Sequence, residues 1–70
     1  MLNNINYNLL ETITIISRSL YRYNTYMEDA SKCKSCQITW QKLKEEREKE
    51  LLMLLKELKV HIDLGELILE

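Results

Sequence analysis

Apolar residues recur along the first half of the chain at steps that alternate between four and three residues. This spacing places them on one stripe of an α-helix and predicts helix 1 over about residues 5–30. Asn8 followed by Glu11 has the pattern of a capping box, and Asn3 or Asn4 would cap a start one turn earlier. The stripe consists of Leu9, Ile13, Ile16, Leu20, Tyr23, Met27 and Ala30.

A second helical pattern follows a short polar break, which predicts a turn at about residues 31–35 and helix 2 over about residues 36–64. Gly65 stands where a left-handed C-cap belongs, and residues 65–70 are predicted to form a short tail. Two helices of similar length joined by a short turn predict a single antiparallel hairpin domain. The apolar positions of helix 2 are Trp40, Leu43, Leu51, Leu54, Leu55, Leu58 and Ile62.

The composition supports an all-α fold. The chain has 70 residues, of which 46% are hydrophobic and 30% are charged, with one glycine and no proline. These values exclude a disordered chain and a turn-rich β-sandwich. A chain this short has room for only a small hydrophobic core, so a large catalytic cleft is not expected.

The charge balance and the cysteine count limit the partners of the chain. A formal net charge of -1 argues against nucleic-acid binding driven by counterion release. The longest unbroken apolar run is Leu51–Leu55, whereas a membrane span needs about 20 residues. Two cysteines are too few for the disulfide framework of a small secreted domain. We therefore expect no nucleic-acid partner, no membrane partner and a cytoplasmic location.

A hairpin by itself leaves much of its apolar surface in water. The residues of Leu51–Leu55 point in every direction around a helix, and Ile15, Tyr21 and Val60 lie off the main stripes. Association removes such surface from water, at about 25 cal/mol per Å² of apolar area. We expect the hairpin to homodimerise into a four-helix bundle, with another protein as the alternative partner. The predicted interface consists of Leu20, Tyr23, Met27, Trp40, Arg47, Glu50, Leu51, Leu54, Leu55 and Leu58.

Two charged residues of helix 2 fall on its inward line. Arg47 and Glu50 continue the line of Trp40 and Leu43 toward Leu54. A charged run is usually a solvated face with ion pairs between neighbouring turns. The position of this pair predicts instead that part of the run points inward.

Cys33 and Cys36 form a CxxC pair at the predicted turn. Such a pair supplies half of a zinc site or a redox dithiol, with the thiolate favoured by nearby lysines and a helix N-terminus. A four-cysteine site needs a second pair from another copy, and His61 would join the cysteines only across an antiparallel dimer. The alternatives are two small hydrophobic residues and a polar histidine at the edge of the last turns. No cofactor is expected, and zinc or iron are the metals that the pair could hold.

Three stretches carry a likeness to a known family. They are the aromatic, charged end of the first helix over residues 20–30, the middle of the second helix over residues 40–55, and its end over residues 57–65. Together they resemble the ferritin-like superfamily, in particular rubrerythrin-type proteins and the short two-helix encapsulated ferritins. The resemblance covers about residues 10–65.

The resemblance implies a fold more than an activity. That superfamily takes a Glu from the first helix and a Glu-x-x-His from the second for its di-iron site. Counted without gaps from Asp29 and Ala30, these positions fall on Ser17, Arg47 and Glu50. The missing ligands speak against ferroxidase or peroxidase activity. An Arg47–Glu50 salt bridge, within one chain or between chains, would then replace the metal cluster as the buried polar element that fixes register.

We therefore expect a small non-catalytic helical protein that acts as a homo-oligomeric structural or partner-binding module. One alternative is a metal-binding or redox protein that uses Cys33 and Cys36 across a dimer. Another is a degenerate ferritin-like metal site near Glu50.

Overall fold

The computed structural model of the chain describes residues 3–66, which form two helices and no strand. Helix α1 spans Asn4–Asp29 and helix α2 spans Lys34–Asp63. The helices run antiparallel, because Gln37 Nε2 donates to the carbonyl oxygen of Met27 beside the turn, at 3.1 Å, while Asn6 meets His61 at the other end. We call that other end the open end. The predicted all-α hairpin is thus present in a single chain.

The start of α1 lies one turn before the predicted capping box. Asn3 is the N-cap, and its Oδ1 accepts a hydrogen bond from the backbone N–H of Asn6 at 3.0 Å. Asn8 is a helical residue of α1 rather than its cap. Of the two starts that the sequence allowed, the earlier one is correct, because the Asn3 side chain satisfies an amide that the first turn leaves free.

The turn is shorter than predicted, and α2 begins two residues earlier. Cys33 is the N-cap of α2, and its carbonyl oxygen accepts the backbone N–H of Gln37 at 3.1 Å. Its own N–H donates to the carbonyl oxygen of Ala30 at 2.9 Å, which closes the turn. Backbone hydrogen bonds therefore fix this turn without a glycine or a proline.

The predicted C-cap at Gly65 is confirmed. Gly65 has a φ of 69°, a left-handed conformation that glycine adopts without a Cβ penalty. The N–H of Glu66 donates to His61 O at 2.8 Å and the N–H of Gly65 donates to Ile62 O at 3.0 Å. This pair of bonds is a Schellman motif, which satisfies the last carbonyls of α2. Of the predicted tail, residues 67–70 lie outside the described residues.

The two helices meet along a seam in which side chains recur at alternating three- and four-residue steps. All seven residues of the predicted α1 stripe are buried or half-buried, as expected. In α2, Leu55 and Ile62 are 43% and 54% exposed and lie outside the seam. Leu55 follows Leu54 and Ile62 follows His61, and one residue along a helix is a rotation of about 100° away from the seam. The α2 side of the seam consists of Cys33, Gln37, Trp40, Lys44, Arg47, Leu51, Leu54, Leu58 and His61.

This seam leaves the described chain almost without a core. Ile16 is its only buried hydrophobic residue, whereas twelve large hydrophobic residues are exposed. The accessible surface is 5564 Å², against roughly 4,600 Å² for a compact monomer of this mass. The radius of gyration is 15.7 Å, against roughly 11 Å for a compact domain of this length. A single hairpin is therefore an elongated body, 50 × 19 × 12 Å, with a wet apolar surface.

A buried asparagine joins the helices at the open end. Asn6 is 1% exposed, and its Nδ2 donates to the carbonyl oxygen of Glu66 at 2.7 Å. That bond fixes the orientation of the amide, so Oδ1 accepts from Nδ1 of His61, 2.7 Å away. The other ring nitrogen, Nε2, lies 3.2 Å from Oε1 of Glu57. His61 is therefore part of the seam rather than an edge residue, with a side chain only 12% exposed.

We predict that Asn6→Ala lowers the free energy of unfolding by about 1–3 kcal/mol, because it leaves the His61 ring N–H and the Glu66 carbonyl without their partner. Asn24→Ala is the matched control, since Asn24 is an exposed residue of the same helix and gains the same helix propensity. Urea unfolding at one protein concentration measures both variants. Equal stability of the two variants would contradict a structural role for Asn6.

Candidate functional site

The CxxC pair lies on the first turn of α2, at the end of the hairpin opposite Asn6. Cys33 is the N-cap and Cys36 is the third residue of the helix, so the two side chains face each other across one turn. Their Sγ atoms are 2.8 Å apart. The Cys33 sulfur also lies 3.5 Å from Oγ of Ser35 and makes no capping hydrogen bond to the first turn. The pair is therefore assembled within one chain.

The two thiols have different acidities. The pKa of Cys33 is lowered from 9.0 to about 7, because the Cys36 side chain and then the Ser35 side chain hydrogen-bond to its thiolate. The pKa of Cys36 is raised, mainly by its hydrogen bond to Cys33 and then by desolvation. Near neutral pH, Cys33 therefore supplies the thiolate and Cys36 supplies the proton donor.

The surroundings of the pair leave it open to solvent. Cys36 is exposed and Cys33 is half-buried, and exposed Lys32 and Lys34 flank Cys33 along the chain. Cys36 and Trp40 line the same shallow cavity. The site thus combines an accessible thiolate with nearby positive charge, which are the conditions that make a cysteine reactive.

A single chain has few ligands for either of the metal sites that the sequence suggested. Among residues 3–66, no three His, Cys, Asp or Glu side chains converge on a point that could hold a metal ion. The two sulfurs supply two ligands, so a four-thiolate zinc site needs a second copy of the chain. At the opposite end of α2, His61 is separated from Cys36 by roughly 37 Å of helix.

Two of the three positions that the ferritin-like resemblance would assign to di-iron ligands form an ion pair. Arg47 and Glu50 form a half-buried salt bridge on α2, as the sequence predicts. The pKa of Arg47 is raised, first by the hydrogen bond and charge of Glu50 and then by the hydroxyl of Tyr23. Ser17, the third position, is exposed on α1. The Glu50 carboxylate is therefore already bound by a cation of its own chain.

The aromatic residues pack between the cysteines and this ion pair. The ring centroids of Tyr26 and Trp40 are 5.0 Å apart, and those of Tyr23 and Trp40 are 5.7 Å apart. Such tilted and stacked pairs add to the burial energy of aromatic side chains. The single tryptophan is thus anchored between the two helices, one turn after Cys36.

Most residues of the predicted dimer interface lie in or beside the seam of the single hairpin. They are half-buried there and keep part of their surface exposed, whereas Leu55 is 43% exposed. Asn6 also belongs to the seam, since it extends the α1 stripe by one three-residue step before Leu9, but a polar residue gives no hydrophobic signal. Gln37 and Lys44 of α2 were not predicted as seam residues for the same reason.

Comparison of the chain with protein-family models, curated proteins and solved structures finds no match. Neither of the two described helices is long and apolar enough to cross a membrane.

The acidity of Cys33 predicts a distinct pH profile of alkylation. Because the thiolate is the reactive form, the rate of Cys33 modification by iodoacetamide should rise with pH and inflect near about 7. Peptide mass spectrometry of briefly labelled protein separates Cys33 from Cys36, whose inflection should lie above 9.0.

Cys36→Ala is the control for the cause of this shift. It removes the main hydrogen bond to the Cys33 thiolate, so the inflection should move up toward the ordinary value of 9.0. A common inflection for both cysteines in the unaltered protein would contradict the assigned asymmetry.

Proposed function

We propose that this chain is a non-catalytic, homodimeric structural module in which two hairpins pair as a four-helix bundle. The observation that carries the proposal is the apolar surface that one hairpin leaves in water. A cytoplasmic location belongs to the same proposal and is supported by a cysteine count too small for the disulfide framework of a small secreted domain.

The amount of this surface matches what a dimer interface needs. The chain exposes roughly 950 Å² more than a compact monomer of its mass, so two copies carry a surplus of roughly 1,900 Å². Stable and specific interfaces bury about 1,200–2,000 Å² in total. Pairing of two copies therefore removes the surplus without a further partner.

An apolar surface at the open end supplies the contact. On α2, Leu52, Leu55 and Ile62 are 59%, 43% and 54% exposed. Because the helices are antiparallel, Leu10 and Tyr7 of α1 lie on the same side of the seam as these three residues. Leu10 is half-buried and Tyr7 is exposed. We name these five residues the open-end patch. It is the surface that we place at the centre of the dimer interface.

A second copy suits this patch better than a small ligand does. The patch is an extended strip on two long helices rather than an enclosed pocket, and small-molecule sites are usually concave. A helix pair that meets another helix pair along such strips gives the arrangement of a four-helix bundle. The half-buried residues of the seam then gain a second layer of contacts.

The resemblance to ferritin-like proteins is part of this proposal. Two-helix members of that superfamily build their bundle from paired hairpins, and the antiparallel hairpin has the architecture that such pairing requires. The Arg47–Glu50 pair stands at two of the positions where that superfamily places di-iron ligands. In this chain the proposed bundle holds an ion pair there, which favours a structural role over iron chemistry.

A second candidate function is redox chemistry at Cys33 and Cys36. The observation that favours it is the 2.8 Å contact between the two sulfurs in one chain. A metal role of the same residues would require two hairpins to bring their turns together. The redox role does not require a second copy, and it is compatible with the dimer because the open-end patch lies at the opposite end of the hairpin.

We predict that the chain sediments as a dimer at micromolar concentration and that Leu52→Glu dissociates it. Leucine burial contributes about 1.5–3 kcal/mol and a dimer contains two copies, so the dissociation constant should rise by about a hundredfold or more. Sedimentation equilibrium measures the molar mass and this constant, while circular dichroism reports retained helix.

Met53→Glu is the matched control. Met53 is the next residue of α2 and is 65% exposed, and it lies about 100° further around the helix, on the side of Leu52 that faces away from Leu55. This variant should remain dimeric. A folded monomer in the unaltered protein would overturn the dimer, and dissociation by Met53→Glu but not by Leu52→Glu would overturn the position of the interface.

A further inference from the structure

The CxxC pair has the geometry of a dithiol that closes on itself. Cys33 and Cys36 occupy the N-cap and the third position of one helix, and residues three apart on a helix have Cα atoms about 5 Å apart. Disulfides form between residues at this separation, and the two sulfurs already touch. No movement of α1 against α2 is needed, since both residues belong to the same turn.

Accessibility distinguishes this pair from a buried structural pair. Cys36 is exposed, and the sulfur of Cys33 is turned toward Cys36 and Ser35 rather than toward the backbone of the first turn. Exposed Lys32 and Lys34 place positive charge on both sides of Cys33. These two lysines can pair with the carboxylates of an incoming disulfide.

We propose that Cys33 and Cys36 form an intramolecular dithiol–disulfide couple that exchanges with low-molecular-weight peptide disulfides of the glutathione class. This inference does not depend on the homodimer, because one chain contains both sulfurs. It differs from a shared metal site in needing no second copy.

The exchange proceeds in two balanced steps. The Cys33 thiolate attacks one sulfur of the small disulfide, so that a mixed disulfide forms and one small thiolate leaves. Cys36 then loses its proton, attacks the Cys33 sulfur and displaces the second small thiolate. The two protons released by Cys33 and Cys36 end on the two small thiols. Two electrons pass from the protein to the small disulfide, which is the oxidant.

The consequence of closure is local. A bond between Cys33 and Cys36 crosslinks one turn of α2 and places no covalent link between α1 and α2. The hairpin and its open end are unchanged, while the surroundings of Trp40, which lines the same cavity as Cys36, are altered. Tryptophan fluorescence therefore reports the redox state of this turn alone.

The test is equilibration of the full chain with buffers of oxidised and reduced glutathione at set ratios, followed by thiol trapping and intact-mass measurement. The expected product is a chain that has lost two hydrogen atoms, with a reversible titration across the ratios and a parallel change in Trp40 fluorescence. Cys36→Ser should stop at a mixed disulfide on Cys33. Cys33→Ser should react about tenfold more slowly near neutral pH, because a smaller fraction of Cys36 than of Cys33 is ionised there.

Two results would overturn the proposal. One is a protein that stays fully reduced at every ratio, and the other is oxidation to disulfide-linked dimers in place of the internal bond. The Cys33→Ser/Cys36→Ser variant separates this inference from the proposed dimer. It should sediment as the unaltered protein does, so loss of the exchange reaction and loss of the dimer are independent outcomes.

Discussion

Two helices that pack side by side can bury a seam but cannot enclose a core. In this chain Ile16 is the only described apolar residue that the hairpin buries. All the other seam residues but Asn6 keep part of their surface in contact with solvent. Because hydrophobic burial is the main favourable term in folding, a body of this shape gains little stability from its own contacts. The proposed dimer follows from this shortage of burial.

Polar contacts give the hairpin its register where hydrophobic contacts are few. Asn6 ties the start of α1 to the end of α2 through His61 and Glu66, and Gln37 of α2 donates to the carbonyl oxygen of Met27 beside the turn. Sliding one helix by a turn would leave the amide of Asn6 without partners in a site that excludes water. Apolar residues alone would fit several registers equally well. The buried asparagine therefore contributes specificity at a position where its burial adds no hydrophobic energy.

The stripe of α1 was predictable because every position of its four-and-three pattern is apolar. The seam of α2 was less predictable, since Gln37, Lys44 and Arg47 are polar residues at seam positions. The hydrophobic pattern indicated Leu55 and Ile62 instead, which lie one position beyond the seam. The CxxC pair was evident from the sequence, but the contact between its sulfurs depends on α2 beginning at Lys34. A helix that begins two residues later would not hold both cysteines in one helical turn.

We propose that the fold of one chain depends on contact with another. The decisive measurement is thermal unfolding followed by circular dichroism over a hundredfold range of protein concentration. Association stabilises the folded state by mass action, so the unfolding midpoint of a dimer should rise with concentration. A single cooperative transition at the same temperature for every concentration would mean that the lone hairpin supports itself, and the proposed dependence on a second chain would be wrong.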